Sequence, residues 1–96
     1  MGVIGYKGFS KDMCNIHGVP KQYEVGKTYT EKLNPMSHQC GMHFCLYLED
    51  VTRFVRPDII CKVEALGSIE GDGYQYSTNK LKILEIVQDN RKDVKV

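Results

Sequence analysis

Two short steps rich in metal-binding side chains constrain this chain more than any other feature. The first is Cys14-Asn15-Ile16-His17, a C-x-x-H step followed by Gly18, and the second is Cys40-Gly41-Met42-His43-Phe44-Cys45. Ligands two or three residues apart on a turn aim both side chains at one point. Two such pairs on separate loops complete a tetrahedron, the geometry zinc takes with thiolate and imidazole donors. Gly18 and Gly41 suit the unusual backbone angles of such a knuckle. The expected ligands are Cys14, His17, Cys40 and Cys45, with His43 competing for the last place. Cys45 brings a charge that offsets the dication. His43 repeats the C-x-x-H step, or else donates a hydrogen bond to a ligand from beside the site. His38 is a weaker rival, and Cys61, in the middle of an apolar strand face, is expected as an ordinary buried thiol.

A staple of this kind answers a size problem. The chain has 96 residues, enough for one domain with a modest core. A bound zinc adds on the order of 10 kcal/mol to the folding of a small domain. The expected role is structural, because four protein ligands leave no open coordination position for water. Neither step contains an Asp or Glu to act as a base; Asp12 and Glu49 are nearest in sequence.

The surroundings of the cysteines point the same way. The start, Met1-Gly2-Val3-Ile4-Gly5-Tyr6, lacks the apolar run of a signal peptide and the Ser or Thr that myristoylation needs at position 6. The longest apolar stretch is far short of a bilayer span. The expectation is a cytoplasmic protein with no membrane contact, in a cytosol whose reducing chemistry disfavours disulfides between Cys14 and Cys40 or Cys45.

The remaining pattern is mostly strand. Val3 to Phe9 reads as a first strand, and Tyr23-Glu24-Val25 and Thr28-Tyr29-Thr30 flank a Gly26-Lys27 turn or bulge. Met42 to Tyr47 suits a buried strand. Leu48 to Arg56 places Leu48, Val51, Thr52 and Val55 at helical spacing, ended by Pro57. Ile59 to Ile69 alternates, with Cys61, Val63 and Ala65 facing one way and Lys62 and Glu64 the other. Gly71-Asp72-Gly73 is a turn, and Leu81 to Val87 is apolar on both faces. The expected fold is α+β: a small, mostly antiparallel sheet with one helix and a zinc-stapled pair of loops. Residues 1–88 form the single domain and 89–96 a charged, frayed tail.

Charge narrows the function. With a net charge of +1, the chain lacks the basic excess that gives nucleic-acid binders most of their affinity. A basic face from Lys7, Lys11, Lys21, Lys27 and Lys32 beside the knuckles is the minority alternative, a zinc-knuckle nucleic-acid module. No nucleophile elbow, P-loop, H-E-x-x-H or dinucleotide fingerprint occurs. Tyr74-Gln75-Tyr76 is either an exposed contact patch or cross-strand packing.

Four stretches carry a resemblance: Gly5-Tyr6-Lys7-Gly8-Phe9, Gln22-Tyr23-Glu24-Val25-Gly26-Lys27-Thr28-Tyr29, Cys40-Gly41-Met42-His43-Phe44-Cys45 and Val63-Glu64-Ala65. In this order they resemble a family of small phage and prophage domains of unknown function, over about residues 4 to 87 of one domain. The family also has a cysteine near position 14 and a G-F-H-F-C element. It tends to an aromatic where Met42 stands and a polar, proline-bearing helix start at Leu46-Tyr47-Leu48, and His17 is not among its features. The resemblance implies a mobile-element origin. By analogy with zinc-containing anti-CRISPR proteins of similar size, the expected function is non-enzymatic inhibition of a host defence nuclease, a type II CRISPR effector, by a monomer binding that protein. The enzyme alternative is an ADP-ribosyltransferase-like domain, to which Tyr6-Lys7-Gly8 is faintly similar, with Lys7 where such folds carry Arg or His.

Overall fold

The computed structural model describes residues 2–14, 21–31, 42–54, 56–71, 73 and 75–90, with residues 53 and 54 described by backbone alone. The first strand, β1 (Val3–Phe9), is extended because it is built from β-branched and aromatic residues, with glycines where neighbours crowd in. A side chain at Gly5 would meet the Cys45 carbonyl oxygen and the Phe44 ring, both at 2.6 Å. β2 (Thr28–Thr30) and β3 (Met42–Phe44) follow, then α1 (Leu48–Phe54) and β4 (Ile59–Ala65). β5 (Ile69–Gly71), β6 (Tyr76–Thr78) and β7 (Lys80–Asp89) complete the described elements.

These strands form two antiparallel sheets, ordered β1-β4-β7-β2 and β3-β6-β5. β1 and β4 pair along their whole length, from Val3 opposite Ala65 to Phe9 opposite Ile59. Alternation on a pleat then sends Phe9, Ile59, Cys61, Val63 and Ala65 to one face. There they pack with Tyr23, Met42, Phe44, Leu81 and Ile83 as the main core. The opposite face carries Lys62 in register with Glu85 and Glu64 with Lys82, opposite charges on neighbouring strands. A second, smaller cluster on that face joins Cys45, Val51 and Ile60, with Tyr6 against them, under α1.

Two joints tie the sheets together. Tyr6 and Cys45 exchange backbone hydrogen bonds of 2.7 and 2.8 Å along the outer edge of β1. Asn79 alone separates β6 from β7. Its side-chain oxygen accepts the Ser68 amide at 2.9 Å, and its carbonyl accepts the Glu31 amide at 2.9 Å.

The α+β expectation is corrected: this is a small β-rich fold, in which the one described helix has seven residues and makes no layer. Of its expected apolar stripe, Val51 is buried, Leu48 is 38% exposed, Thr52 is exposed, and Val55 lies outside the described residues. Burial is achieved by sheet against sheet, which leaves a helix little to cover. The last strand differs too. Leu81 and Ile83 are buried, but Ile86 and Val87 are 39% and 41% exposed. Irregularities in the pairing with β4 break the face alternation, and β2 spans only Lys80 to Lys82. Tyr23 stands outside any strand, its amide donating to the Met13 carbonyl at 2.8 Å, and Gly26 turns the chain at a φ of 91°. Cys61 is fully buried in the main core, as its place in the alternation implied. Tyr76 stacks on Phe44 with ring centroids 5.9 Å apart, so at that position the packing reading holds; Tyr74 lies outside the described residues.

Candidate functional site

The chemistry gathers where β1 passes beneath the ends of two connecting segments. Strand alternation puts Lys7 on the core face between Gly5 and Phe9, directly across from Cys61. A lysine there must find partners for its ammonium. The Lys7 amine donates to the His43 carbonyl oxygen at 2.9 Å, and its nitrogen lies 5.7 Å from the Phe9 ring centre and 5.8 Å from that of Tyr23. Burial pushes its pKa down to about 8; the charges of Glu31 and Cys45 oppose that shift and Lys21 adds to it.

Around Lys7 stands an aromatic and ionic frame. The Phe9 and Tyr23 rings are 5.3 Å apart, and Tyr23 meets Tyr29 edge-on at 4.7 Å. Lys21 lies over both tyrosines, 5.5 and 5.3 Å from their centres, and forms a 2.8 Å ion pair with Glu31. The Tyr29 hydroxyl accepts the Glu24 amide at 2.8 Å. Met13 and Tyr23, on either side of segment 15–20, and Tyr29 and Met42, on either side of segment 32–41, all pack in the main core cluster. Cys14 faces Gln22 in a single bridge, and the Lys21–Glu31 pair links the end of one segment to the start of the other. The described residues at the ends of both segments therefore share one core.

The expected metal ligands divide unevenly. His17, Cys40 and the rival His38 lie outside the described residues. Cys14 is half-buried, its thiol 3.8 Å from the Asp12 carbonyl. Cys45 is buried with Val51, Ile60 and Tyr6 beneath α1. His43 is half-buried in β3, where alternation turns it away from the face of Met42 and Phe44. Among the described residues, no group of three or more His, Cys, Asp and Glu is gathered as a metal site.

The candidate basic face loses much of its charge. Lys7 is turned inward, Lys21 is paired with Glu31, and Lys27 is paired with Glu24 at 3.1 Å, a hydrogen bond that raises its pKa. Lys11 is exposed, and Lys32 lies outside the described residues. Sequence reasoning singled out Lys7 as a loop-side cation and missed its place in the core. The signal was present: a lysine two positions before Phe9 and two after Gly5 on an alternating strand faces inward. The Lys21–Glu31 pair and the Tyr23–Tyr29 contact bridge separate loops, and no local pattern announces them.

The chain belongs to the DUF7666 family, a domain of unknown function, which matches residues 3–90. Comparison with the curated proteins and with the solved structures finds no match. Among the described residues, no helix is long and apolar enough to cross a membrane.

Proposed function

We propose that this domain acts by binding another protein rather than by catalysis, through the segments 15–20 and 32–41, and that one structural zinc joins them. One observation carries this reading: Met13, Tyr23, Tyr29 and Met42, which flank the two segments, all pack in the main core, and the Lys21–Glu31 pair joins the end of one segment to the start of the other. Anchoring both ends of each segment in one core lowers the entropy that binding through them would cost. Cys14, His17, Cys40 and Cys45 hold the metal, with His43 the rival for the last place.

The specific use we propose is phage-encoded inhibition of a host defence nuclease, a type II CRISPR effector, in the bacterial cytosol. Its support is the family resemblance and the analogy drawn from it. Two measurements test the parts separately. Untagged protein should contain one zinc per chain, lost in Cys14→Ser and Cys40→Ser; metal-free folded protein overturns the zinc. The purified chain should block DNA cleavage by a type II effector with saturation at one equivalent. Full cleavage in a large excess of chain, with no co-eluting complex, overturns the inhibitor reading.

A further inference from the structure

β7 is the longest of the described strands, yet only its first part has neighbours on both sides. On one side β4 accompanies it from Leu81, opposite Ala65, to Asp89, opposite Ile59. On the other side β2 stops at Lys82, and the last backbone bonds join Ile83 to Lys27 and Gly26, at 3.0 and 2.7 Å. Among the described residues, no other strand or turn bonds to residues 84–88 on that side. We infer that this open edge docks a second copy of the chain, β7 pairing antiparallel with the partner's β7 about a two-fold axis at Ile86. The inference rests neither on the zinc nor on segments 15–20 and 32–41, and survives their failure.

The edge has the chemistry of an interface. A strand edge carries a row of amides and carbonyls that another extended chain can satisfy. Lysine, other charges or proline usually keep such an edge single, and between Lys82 and Asp89 the sequence has Glu85 alone. That carboxylate is in register with Lys62 of β4, so its charge is answered within its own copy. Residues 85–88 are exposed in an unbroken run, with Ile86 at 39% and Val87 at 41%. Ile86 lies across from the fully buried Cys61, so the apolar face runs out to this edge and ends there uncovered.

Charge selects a second copy and its register. Two identical strands about a two-fold axis place one residue opposite itself. With Glu85 on the axis two carboxylates would face each other, and with Val87 there Glu85 would face the partner's Asp89; like charges directly opposite repel. With Ile86 on the axis the two isoleucines meet, Glu85 faces the partner's Val87, and Leu84 faces the partner's Gln88. The partner's Asp89 then arrives opposite Ile83, the place bordered by Lys27. The Lys27 side chain is 61% exposed and bonded to Glu24, and its ammonium has donors to share with a second carboxylate. The symmetry supplies this contact twice, once at each end of the pairing. The irregularities against β4 bend this part of β7 and keep the pairing short. Such a contact buries less than about 1,000 Å², so the pair is transient, with a Kd on the order of tens of micromolar. The monomer expected from the sequence is then the dilute form.

The test is sedimentation equilibrium of the full chain at low salt, from low micromolar to several hundred micromolar. The average mass should climb from the 11.0 kDa of one chain toward twice that value. Ile86→Lys, at an exposed position, should weaken association about tenfold or more. Lys27→Glu and Asp89→Lys should each weaken it several-fold, and both changes in one chain should restore it, because the two charges have only exchanged places. A single-chain mass at every concentration overturns the proposal and leaves the edge to an extended segment of another protein. Association that ignores Ile86→Lys, or a double variant no tighter than the single ones, overturns it as well.

Discussion

The Lys7 side chain reaches from the middle of β1 to the His43 carbonyl of β3, 2.9 Å away, so a single amine joins the two sheets from inside the molecule. Its pKa of about 8 lies below the 10.5 of a free lysine, which fixes a pH dependence. Between those values the unfolded chain holds more protons than the folded one, so this group makes stability rise as pH climbs from about 8 to 10.5. The full effect is on the order of 3 kcal/mol. Urea titrations at pH 7, 8.5 and 10 on wild type and Lys7→Met should show wild type gaining on the variant across that range. A constant difference would place the Lys7 ammonium in water.

Gly5 and Gly26 should fail for different reasons. An alanine at Gly5 drives its Cβ into the Cys45 carbonyl and the Phe44 ring at 2.6 Å, so it must push β1 from β3. We expect about 2–3 kcal/mol of destabilisation, as for other overpacked sites. At Gly26 nothing lies within 4 Å, and the cost comes from the φ of +91°. There an alanine should cost about 1 kcal/mol. Thermal unfolding of both variants gives the comparison.

Removing the Lys21–Glu31 pair tests the clasp between the two segments. Their side chains are 26% and 31% exposed, so the pair is partly shielded from water. A double-mutant cycle with Lys21→Ala and Glu31→Ala should give a coupling of about 1 kcal/mol, decreasing with added salt. A null coupling would mean that the tyrosines alone hold the segments together.

Thiol reactivity should follow burial. Cys14 is half-buried at the surface, while Cys45 and Cys61 are buried in the two apolar clusters. In the wild-type protein under native conditions, a maleimide should modify Cys14 before Cys45 and Cys61, which react only on unfolding. Early labelling of Cys45 would contradict its seat beneath α1.

The strands were legible where the pattern is local. β1 begins and ends at Val3 and Phe9 as its residues imply, and the alternation read over Ile59 to Ile69 places Cys61 in the core correctly, although the strand ends at Ala65 and Ile69 opens β5 in the other sheet. The helix was legible as an element but not in its weight, because nothing in Leu48 to Arg56 says that sheet-on-sheet packing will leave Leu48 at the surface. The exposure of Ile86 and Val87 depends on how far β2 extends along β7, a pairing between residues some fifty apart. For the same reason the packed frame beside the cysteines could not be read from spacing. Its members, Lys7, Lys21, Tyr23, Tyr29 and Glu31, meet only after the chain has folded.

The passage from β6 to β7 over Asn79 alone has a consequence for how this domain can be divided. With no slack at that corner, the three-stranded sheet cannot slip by a residue without turning Leu81 and Ile83 out of the core. Neither sheet is then a module that could be borrowed, swapped or inherited without the other.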